Sequence, residues 1–418
     1  MAEAYIIDAC RTPRGIGKVG KGALADIHPQ QLAATVLKAL AERNNLKTEE
    51  VDDIIWGTSS QRGKQAMDMG RMAALDAGYS VKASGVTLDR FCGSGITSVN
   101  IAASAILSGM EDLVIAGGTE MMSFTSQAAA NADPKAGPTL MDAGNMRLRA
   151  KHPQSHQGVC ADAIATLEGI SRQALDELAL VSQQRADAAI KGGHFKKSLV
   201  PVYKEDGTLA LDHEEFPRPQ TTLEGLLALK PSFEAMAEFP FDSKGTTLGG
   251  LIRQVYPDLK IKHVHHAGNS SGVVDGAAAL LLASPSYAKK NGLKPRAKIV
   301  AWANMGDSPT LMLNAPVPAA RKVLDKAGLK VEDIDLWEIN EAFSVVAEKF
   351  IRDLKLDRNK VNVNGGAMAL GHPIGATGSI LIGTIIDELE RRDLKRGLVT
   401  MCAAGGMAPA IIVERVTS

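Results

Sequence analysis

Cys92, His372, Cys402 and Asn340 have the types and settings from which nucleophilic and proton-transfer chemistry is built. Cys92 stands in Asp89-Arg-Phe-Cys-Gly-Ser-Gly, where a strand pattern ends, a glycine pair permits a tight turn and a long apolar helix begins. A thiol at a helix N-terminus feels the positive end of the macrodipole, so its pKa is expected to fall from about 8.5 toward neutrality, as a nucleophile requires. A buried inert thiol is the plainer fate of a free cysteine. His372 is held in Gly371-His-Pro373 at the mouth of another helix. An imidazole with an unperturbed pKa of about 6.5 suits the role of base toward a cysteine, the alternative being a capping or core histidine. Cys402 closes the last buried strand pattern, either as a second acid/base for proton transfer to or from carbon or as a structural thiol. Asn340, in Trp337-Glu-Ile-Asn-Glu-Ala-Phe343, has no basic nitrogen. It either caps the next helix or donates a hydrogen bond, directly or through water, to charge developing on a carbonyl oxygen.

The elements that must position these groups read as α/β. Forty glycines with only 4% aromatics suit tight strand-to-helix turns and close layers. Short apolar runs at Tyr5 to Ile7, Ile54 to Trp56, Leu113 to Ala116 and Leu398 to Met401 alternate with helical patterns at Pro29 to Glu42, Ile96 to Leu107 and Gly378 to Glu390. The two ends of the chain echo each other: Glu50-Val-Asp-Asp-Ile-Ile-Trp with Glu332-Asp-Ile-Asp-Leu-Trp, then a glycine turn opening an apolar helix, then Leu113-Val-Ile-Ala-Gly-Gly with Leu398-Val-Thr-Met-Cys-Ala-Ala-Gly-Gly. Three matches in one order indicate a duplicated α/β unit. Residues 123–261 differ in kind, with amphipathic helices such as Arg172 to Lys191, and read as an inserted loop domain.

With 47 basic and 47 acidic residues the chain has no net charge to draw it to nucleic acid or an anionic bilayer. Four scattered cysteines, at 10, 92, 160 and 402, suit a reducing cytosol better than a disulfide framework. The N-terminus places acid and arginine within eleven residues, and no run approaches the roughly 18 apolar residues of a membrane span. The expectation is a cytoplasmic protein with no membrane or nucleic-acid partner. Three tempting motifs carry little. Gly15-Ile-Gly-Lys-Val-Gly20 is separated from its strand and its helix, against a dinucleotide site; His263-Val-His-His266 lacks a nearby third ligand on the same face, against a metal; and Lys191 to Lys197 reads as a solvated face, although Lys196, Lys197 and Arg218 are candidates for a phosphorylated ligand.

Together, Cys92 in RFCGSG, NEAF at 340–343, GHPIGATG at 371–378 and Cys402 before a glycine-rich end resemble the thiolase family, the acetyl-CoA and 3-ketoacyl-CoA acyltransferases. The resemblance runs nearly end to end, through Arg11-Thr-Pro-Arg, Ala116-Gly-Gly-Thr-Glu120-Met, Gly268-Asn-Ser-Ser-Gly with Asp275-Gly-Ala-Ala, and Pro316-Val-Pro-Ala. It implies an α/β thiolase fold of duplicated βαβαβαββ halves layered α-β-α-β-α, with two mixed five-stranded sheets. Residues 1–122 with 262–285 would form one half, 286–418 the other, and 123–261 the loop domain covering coenzyme A. By position Cys92 would carry the acyl group, His372 would activate it, and Cys402 would exchange a proton with the α-carbon or leaving thiol. Asn340 through a water, with His372, would form one oxyanion hole; the backbone N–H groups of Cys92 and Ala404 would form the other. His156 and Phe343 would line the cleft, Ser271 would touch the pantetheine arm and Arg218 the adenosine end. Coenzyme A and acyl-CoA enter as substrates, no metal or redox cofactor is implied, and the family forms homodimers or homotetramers, for which 124–140 is a candidate tether.

The sequence departs from the family pattern at Cys402-Ala-Ala404-Gly-Gly-Met-Ala408-Pro409, where alanine occupies two glycine positions and a proline is added. A positive φ there would be strained, so either the loop is reshaped or glycine was never required. Gln157 stands where short-chain biosynthetic members often have Met, and residues 246–266 are longer than in compact acetoacetyl-CoA members. These departures favour a degradative 3-ketoacyl-CoA substrate other than acetoacetyl-CoA, including the bulky chains of steroid breakdown. The alternatives are a biosynthetic acetoacetyl-CoA thiolase, a ketoacyl synthase or sterol-carrier relative, a silent acyl-CoA-binding paralogue suggested by Ala404 and Ala408, and a Cys-His amidase acting without CoA.

Overall fold

Strands covered on both faces are buried at every position and largely apolar, as Leu113–Met121 and Val274–Ala283 are. They are β5 and β8 of twelve strands in a computed structural model that describes residues 3–131 and 139–417. The others are β1 (Tyr5–Arg11), β2 (Gly15–Ile16), β3 (Asp53–Gly57), β4 (Val86–Leu88), β6 (Val202–Tyr203), β7 (Leu209–Leu211), β9 (Ala297–Gly306), β10 (Leu336–Ile339), β11 (Arg396–Thr400) and β12 (Met407–Arg415).

The N-terminal strands order as β4-β3-β5-β8-β1, parallel from β4 to β5 and antiparallel from there on. The C-terminal strands repeat this as β10-β11-β12-β9, with the same change from parallel to antiparallel after β11. The counterpart of β4 is one parallel bridge between Trp337 and Val361. The echo between the chain ends is therefore a repeat of topology. The half-sheets also meet: Tyr5 and Ile6 of β1 pair with Lys298 and Ala297 of β9, joining them into one ten-stranded sheet where two five-stranded sheets were expected.

The helices Ser94–Leu107 and Ile374–Arg391 lie against one another between the half-sheets. Ile96, Val99, Ile382 and Ile385 fill the space between them and inward residues of both halves, among them Ile55, Val114, Val399 and Ile411. The helix Pro29–Arg43 covers the outer face of the N-terminal half, and Pro316–Ala327 with Ser344–Asp353 covers that of the other. This gives the expected five layers. The two central helices touch backbone to backbone: a Cβ on Gly378 would lie 2.2 Å from the Ile96 nitrogen, and one on Gly95 2.6 Å from that of Ser379. Alanine at either position would force the helices apart.

Between β5 and β8 the chain forms mainly helices, the longest over Arg172–Lys191 as its apolar spacing predicts. That helix packs on Ser344–Asp353 and on Ala367–Leu370, tying the insertion to the C-terminal half. Residues 132–138 of the expected tether lie outside the described residues. No helix among the described residues is long and apolar enough to cross a membrane.

Candidate active site

Cys92 follows β4 in a turn built by its neighbours. Asp89 Oδ1 accepts the Phe91 N–H at 2.7 Å, Ser94 Oγ accepts the Arg90 N–H at 2.8 Å, and the same hydroxyl donates to the Phe91 carbonyl at 2.7 Å. These bonds hold Phe91 at φ +49°, a left-handed conformation costing an aromatic residue on the order of 1 kcal/mol. The turn places Cys92 just before Gly93, the N-cap of the helix Ser94–Leu107.

The expected fall in the Cys92 pKa does not occur in the resting protein. Burial pushes the thiol well up, and Cys402 and the buried Glu120 push it the same way. The helix end is visible in the sequence, but the loss of water around Cys92 is not, and desolvation disfavours the thiolate. Cys92 is thus a thiol at rest and needs a base.

His372 supplies the geometry of one. Gly371 turns the chain at φ +97°, and His372 N–H donates to the Gly272 carbonyl at 2.9 Å. Thr377 Oγ1 donates its single proton to the Pro373 carbonyl at 3.0 Å and stands 2.5 Å from His372 Nδ1. With that proton engaged, the hydroxyl can only accept, so Nδ1 carries the ring hydrogen and Nε2 presents a lone pair. Nε2 is buried without a hydrogen-bond partner, and burial draws the His372 pKa down to about 4, so the ring is neutral at pH 7. Thr377→Val should remove this control and lower kcat roughly tenfold to hundredfold, while Thr377→Ser restores it; equal rates for all three proteins would show that the hydroxyl does not set the tautomer.

Cys402 lies just past β11, buried, its thiol pushed up to about 12 by burial. The Ala403 N–H donates to the Met407 carbonyl at 2.7 Å, closing a loop in which Gly405 and Gly406 have positive φ and Ala404 and Ala408 do not. The alanines that break the family pattern are therefore unstrained. Ala408 is the second residue of β12, and Pro409 packs on the nucleophile turn, where a Cβ on Gly93 would lie 2.8 Å from its ring. By normal hydrogen-bond geometry neither the Cys92 nor the Ala404 N–H has an acceptor among the described residues.

Asn340 directly follows β10, and neither its amide oxygen nor its amide nitrogen, both buried, has a partner among the described residues. It is not the helix cap, since Phe343 occupies the N-cap of Ser344–Asp353. A buried amide with all its bonding capacity unused is a waiting donor. Its neighbour Glu341 holds the surrounding loops, accepting from Ser182 Oγ at 2.7 Å, Met368 N–H at 3.2 Å and Asn362 Nδ2 at 3.3 Å. Glu120 does the same beneath His372, accepting from the N–H groups of Ser59, Ser60 and Gly375. Reading the sequence for nucleophiles and bases passed over Thr377, Glu341 and Glu120, although all three fall inside its quoted motifs.

The segment Ser270-Ser271-Gly272 threads between these loops: Ser271 N–H donates to the Ala342 carbonyl and Gly272 N–H to that of Ala367. Ser271 and Arg218 line one cavity of ≈ 530 Å³, whose opposite wall is Gly17, Lys18 and Val19 of the glycine-rich stretch. It continues past Phe216 and Arg218 into a second of ≈ 230 Å³. Arg218 lies over the Phe216 ring at 5.7 Å, whereas Lys197 pairs with Glu390, so the expected cation cluster is divided. His156 caps the helix Gln157–Leu167 and contacts Phe233 at 5.5 Å, which meets Phe343 edge-on at 6.0 Å. His263 and His265 both bond Asp162 and His266 bonds Asp176, a structural network; no group of metal ligands occurs among the described residues.

The chain matches the family of the thiolase N-terminal domain over residues 4–238 and that of the thiolase C-terminal domain over residues 293–415. It is 38% identical to an acetyl-CoA acetyltransferase of Cupriavidus necator, covering 99% of this chain and 100% of the relative. It is 39% identical to a steroid 3-ketoacyl-CoA thiolase of Mycobacterium tuberculosis, covering 99% and 95%. A 3-oxoadipyl-CoA/3-oxo-5,6-dehydrosuberyl-CoA thiolase of Escherichia coli is 41% identical with both chains fully covered. Human mitochondrial 3-ketoacyl-CoA thiolase superposes with a TM-score of 0.83 at 33% identity, covering 100% of this chain and 99% of the human one.

Proposed function

Because this chain belongs to the thiolase family, we propose that it cleaves a 3-ketoacyl-CoA with CoA, in the degradative direction, through an acyl group carried on Cys92. The observation that carries the assignment of roles is the buried, neutral His372, whose unpartnered Nε2 answers the need of a Cys92 thiol that burial keeps protonated.

His372 Nε2 takes the Cys92 proton as sulfur attacks the 3-keto carbon. The N–H groups of Cys92 and Ala404 receive the oxyanion that forms on this carbon, and as it collapses the imidazolium and a water held by Asn340 donate to the thioester oxygen of the departing enolate. The bond between C2 and C3 breaks, its electrons leave as the enolate of acetyl-CoA, and Cys402 protonates the carbon. The Cys402 thiolate takes the proton of an incoming CoA, whose sulfur attacks the acyl group on Cys92. The N–H groups of Cys92 and Ala404 receive the oxyanion of this step, and Cys92 leaves as a thiolate that recovers its proton from His372. Protons and one acyl group are all that move, so the reaction requires no metal or redox cofactor.

The cavity at Ser271 and Arg218 is suited to the pantetheine arm and the adenosine end of CoA, with residues 123–261 as its cover. His156 and Phe343 belong to the acyl side of the cleft. A cytoplasmic homodimer or homotetramer fits four free, unpaired cysteines and the family. The silent-paralogue reading loses its motive, since Ala404 and Ala408 are unstrained. Thiolysis of a 3-ketoacyl-CoA series, with intact-mass detection of acyl-enzyme, tests the proposal: turnover with a Cys92 adduct is expected, and saturable CoA binding without turnover would overturn it.

A further inference from the structure

A separate pocket of ≈ 420 Å³ is lined by His156, Ala235, Met236, Phe239, Phe241 and Leu248. All but His156 are apolar, and Met236 and Phe239 are 41% and 72% exposed. Large apolar side chains gathered around a concave surface mark a place where apolar matter is taken out of water.

A run of packed rings leads from the pocket toward the reacting centre. The pocket's histidine touches Phe233, which touches Phe343, three residues beyond Asn340. Phe91, beside Cys92, packs with Phe233 and Phe241 against the apolar cluster containing Cys402, Ala404, Phe343 and Leu248. Packed rings, His156 on Phe233 and Phe233 on Phe343, thus link the pocket to the loop that carries Asn340. Two arginines near the pocket are engaged: Arg149 binds Asp142 through two contacts of 2.8 Å, and Arg253 binds Glu238 at 2.9 Å.

We infer that this pocket receives the distal part of the acyl chain and selects long or bulky apolar 3-ketoacyl-CoAs over those ending in a carboxylate. The inference rests on the thiolase reading above. A terminal carboxylate placed there would face an apolar lining, with Arg149 and Arg253 already paired. Each methylene buried there should raise kcat/KM about fourfold until the pocket is full.

The test compares kcat/KM for acetoacetyl-CoA, 3-oxohexanoyl-CoA, 3-oxodecanoyl-CoA and 3-oxoadipyl-CoA in the wild type and in Ala235→Trp, which fills the pocket from an exposed position. A rise of at least tenfold from four to ten carbons, 3-oxoadipyl-CoA at least tenfold below 3-oxohexanoyl-CoA, and collapse of the ten-to-four-carbon ratio in Ala235→Trp support the inference. Turnover with no chain preference, or a preference for 3-oxoadipyl-CoA, overturns it and leaves the thiolase reading standing. Absence of turnover with every substrate overturns both. If Ala235→Trp changes the sedimentation of the protein but not its chain preference, a second copy of the chain covers the patch and the inference fails.

Discussion

Replacing Cys92 with serine is expected to remove the acyl adduct from the intact-mass spectrum and to lower thiolysis on the order of 10⁴-fold or more. His372 is matched to a thiol: with a pKa of about 4 it is a weak base, and a hydroxyl is far harder to deprotonate than even a buried cysteine. The turn itself should survive, because Asp89, Ser94 and the backbone hold Phe91, and none of their bonds uses the sulfur. CoA affinity should therefore stay within a few-fold of wild type by calorimetry, since the cavity at Ser271 and Arg218 does not include residue 92. Normal turnover by the serine variant would sink the nucleophile assignment.

His372→Ala is expected to lower kcat by about 10²–10⁴-fold and, more tellingly, to change the pH dependence of Cys92 alkylation. In the wild type, proton transfer from Cys92 to His372 changes no net charge, so the fraction of reactive ion pair is independent of pH between the two pKa values. The lower limit is the value of about 4 for His372, and the upper is set by the raised thiol. Alkylation should be flat between about pH 5 and pH 8. Without the imidazole, the thiolate must form by losing its proton to solvent, and the rate should fall about tenfold for each unit of pH below the thiol pKa. Flat profiles in both proteins would remove His372 as the base.

Glycines made three of the reactive groups legible: Cys92 at a turn from strand to helix, His372 just before a helix and Cys402 before a loop between two strands, whereas Asn340 shows only in its NEAF motif. Their electrostatics were not legible. The helix beginning after Cys92 shows in the sequence, but the burial that raises its thiol comes from both half-sheets closing around it. Gly375 and Gly378 likewise concealed the first turn of Ile374–Arg391, expected only from Gly378 onward. That turn is helical because Glu120 accepts its N–H from 255 positions away and because the facing helix needs glycine at the crossing. Thr377 has no special sequence setting either; only its two contacts give it a role. At Ala404 and Ala408 the family pattern suggested strain, but the loop assigns its left-handed residues to Gly405 and Gly406.

The pairing of Tyr5 with Ala283 across β1 and β8 has a consequence for synthesis. During synthesis β1 cannot find this neighbour until residue 283 has emerged, and its contact with Lys298 comes later still. Contacts of such separation form slowly, after a long closure of intervening chain. Cys92 is therefore translated early and enclosed late. During that interval its thiol is open to oxidants and to stray alkylation, and the chance of a lesion depends on elongation and docking rates rather than on the stability of the finished enzyme.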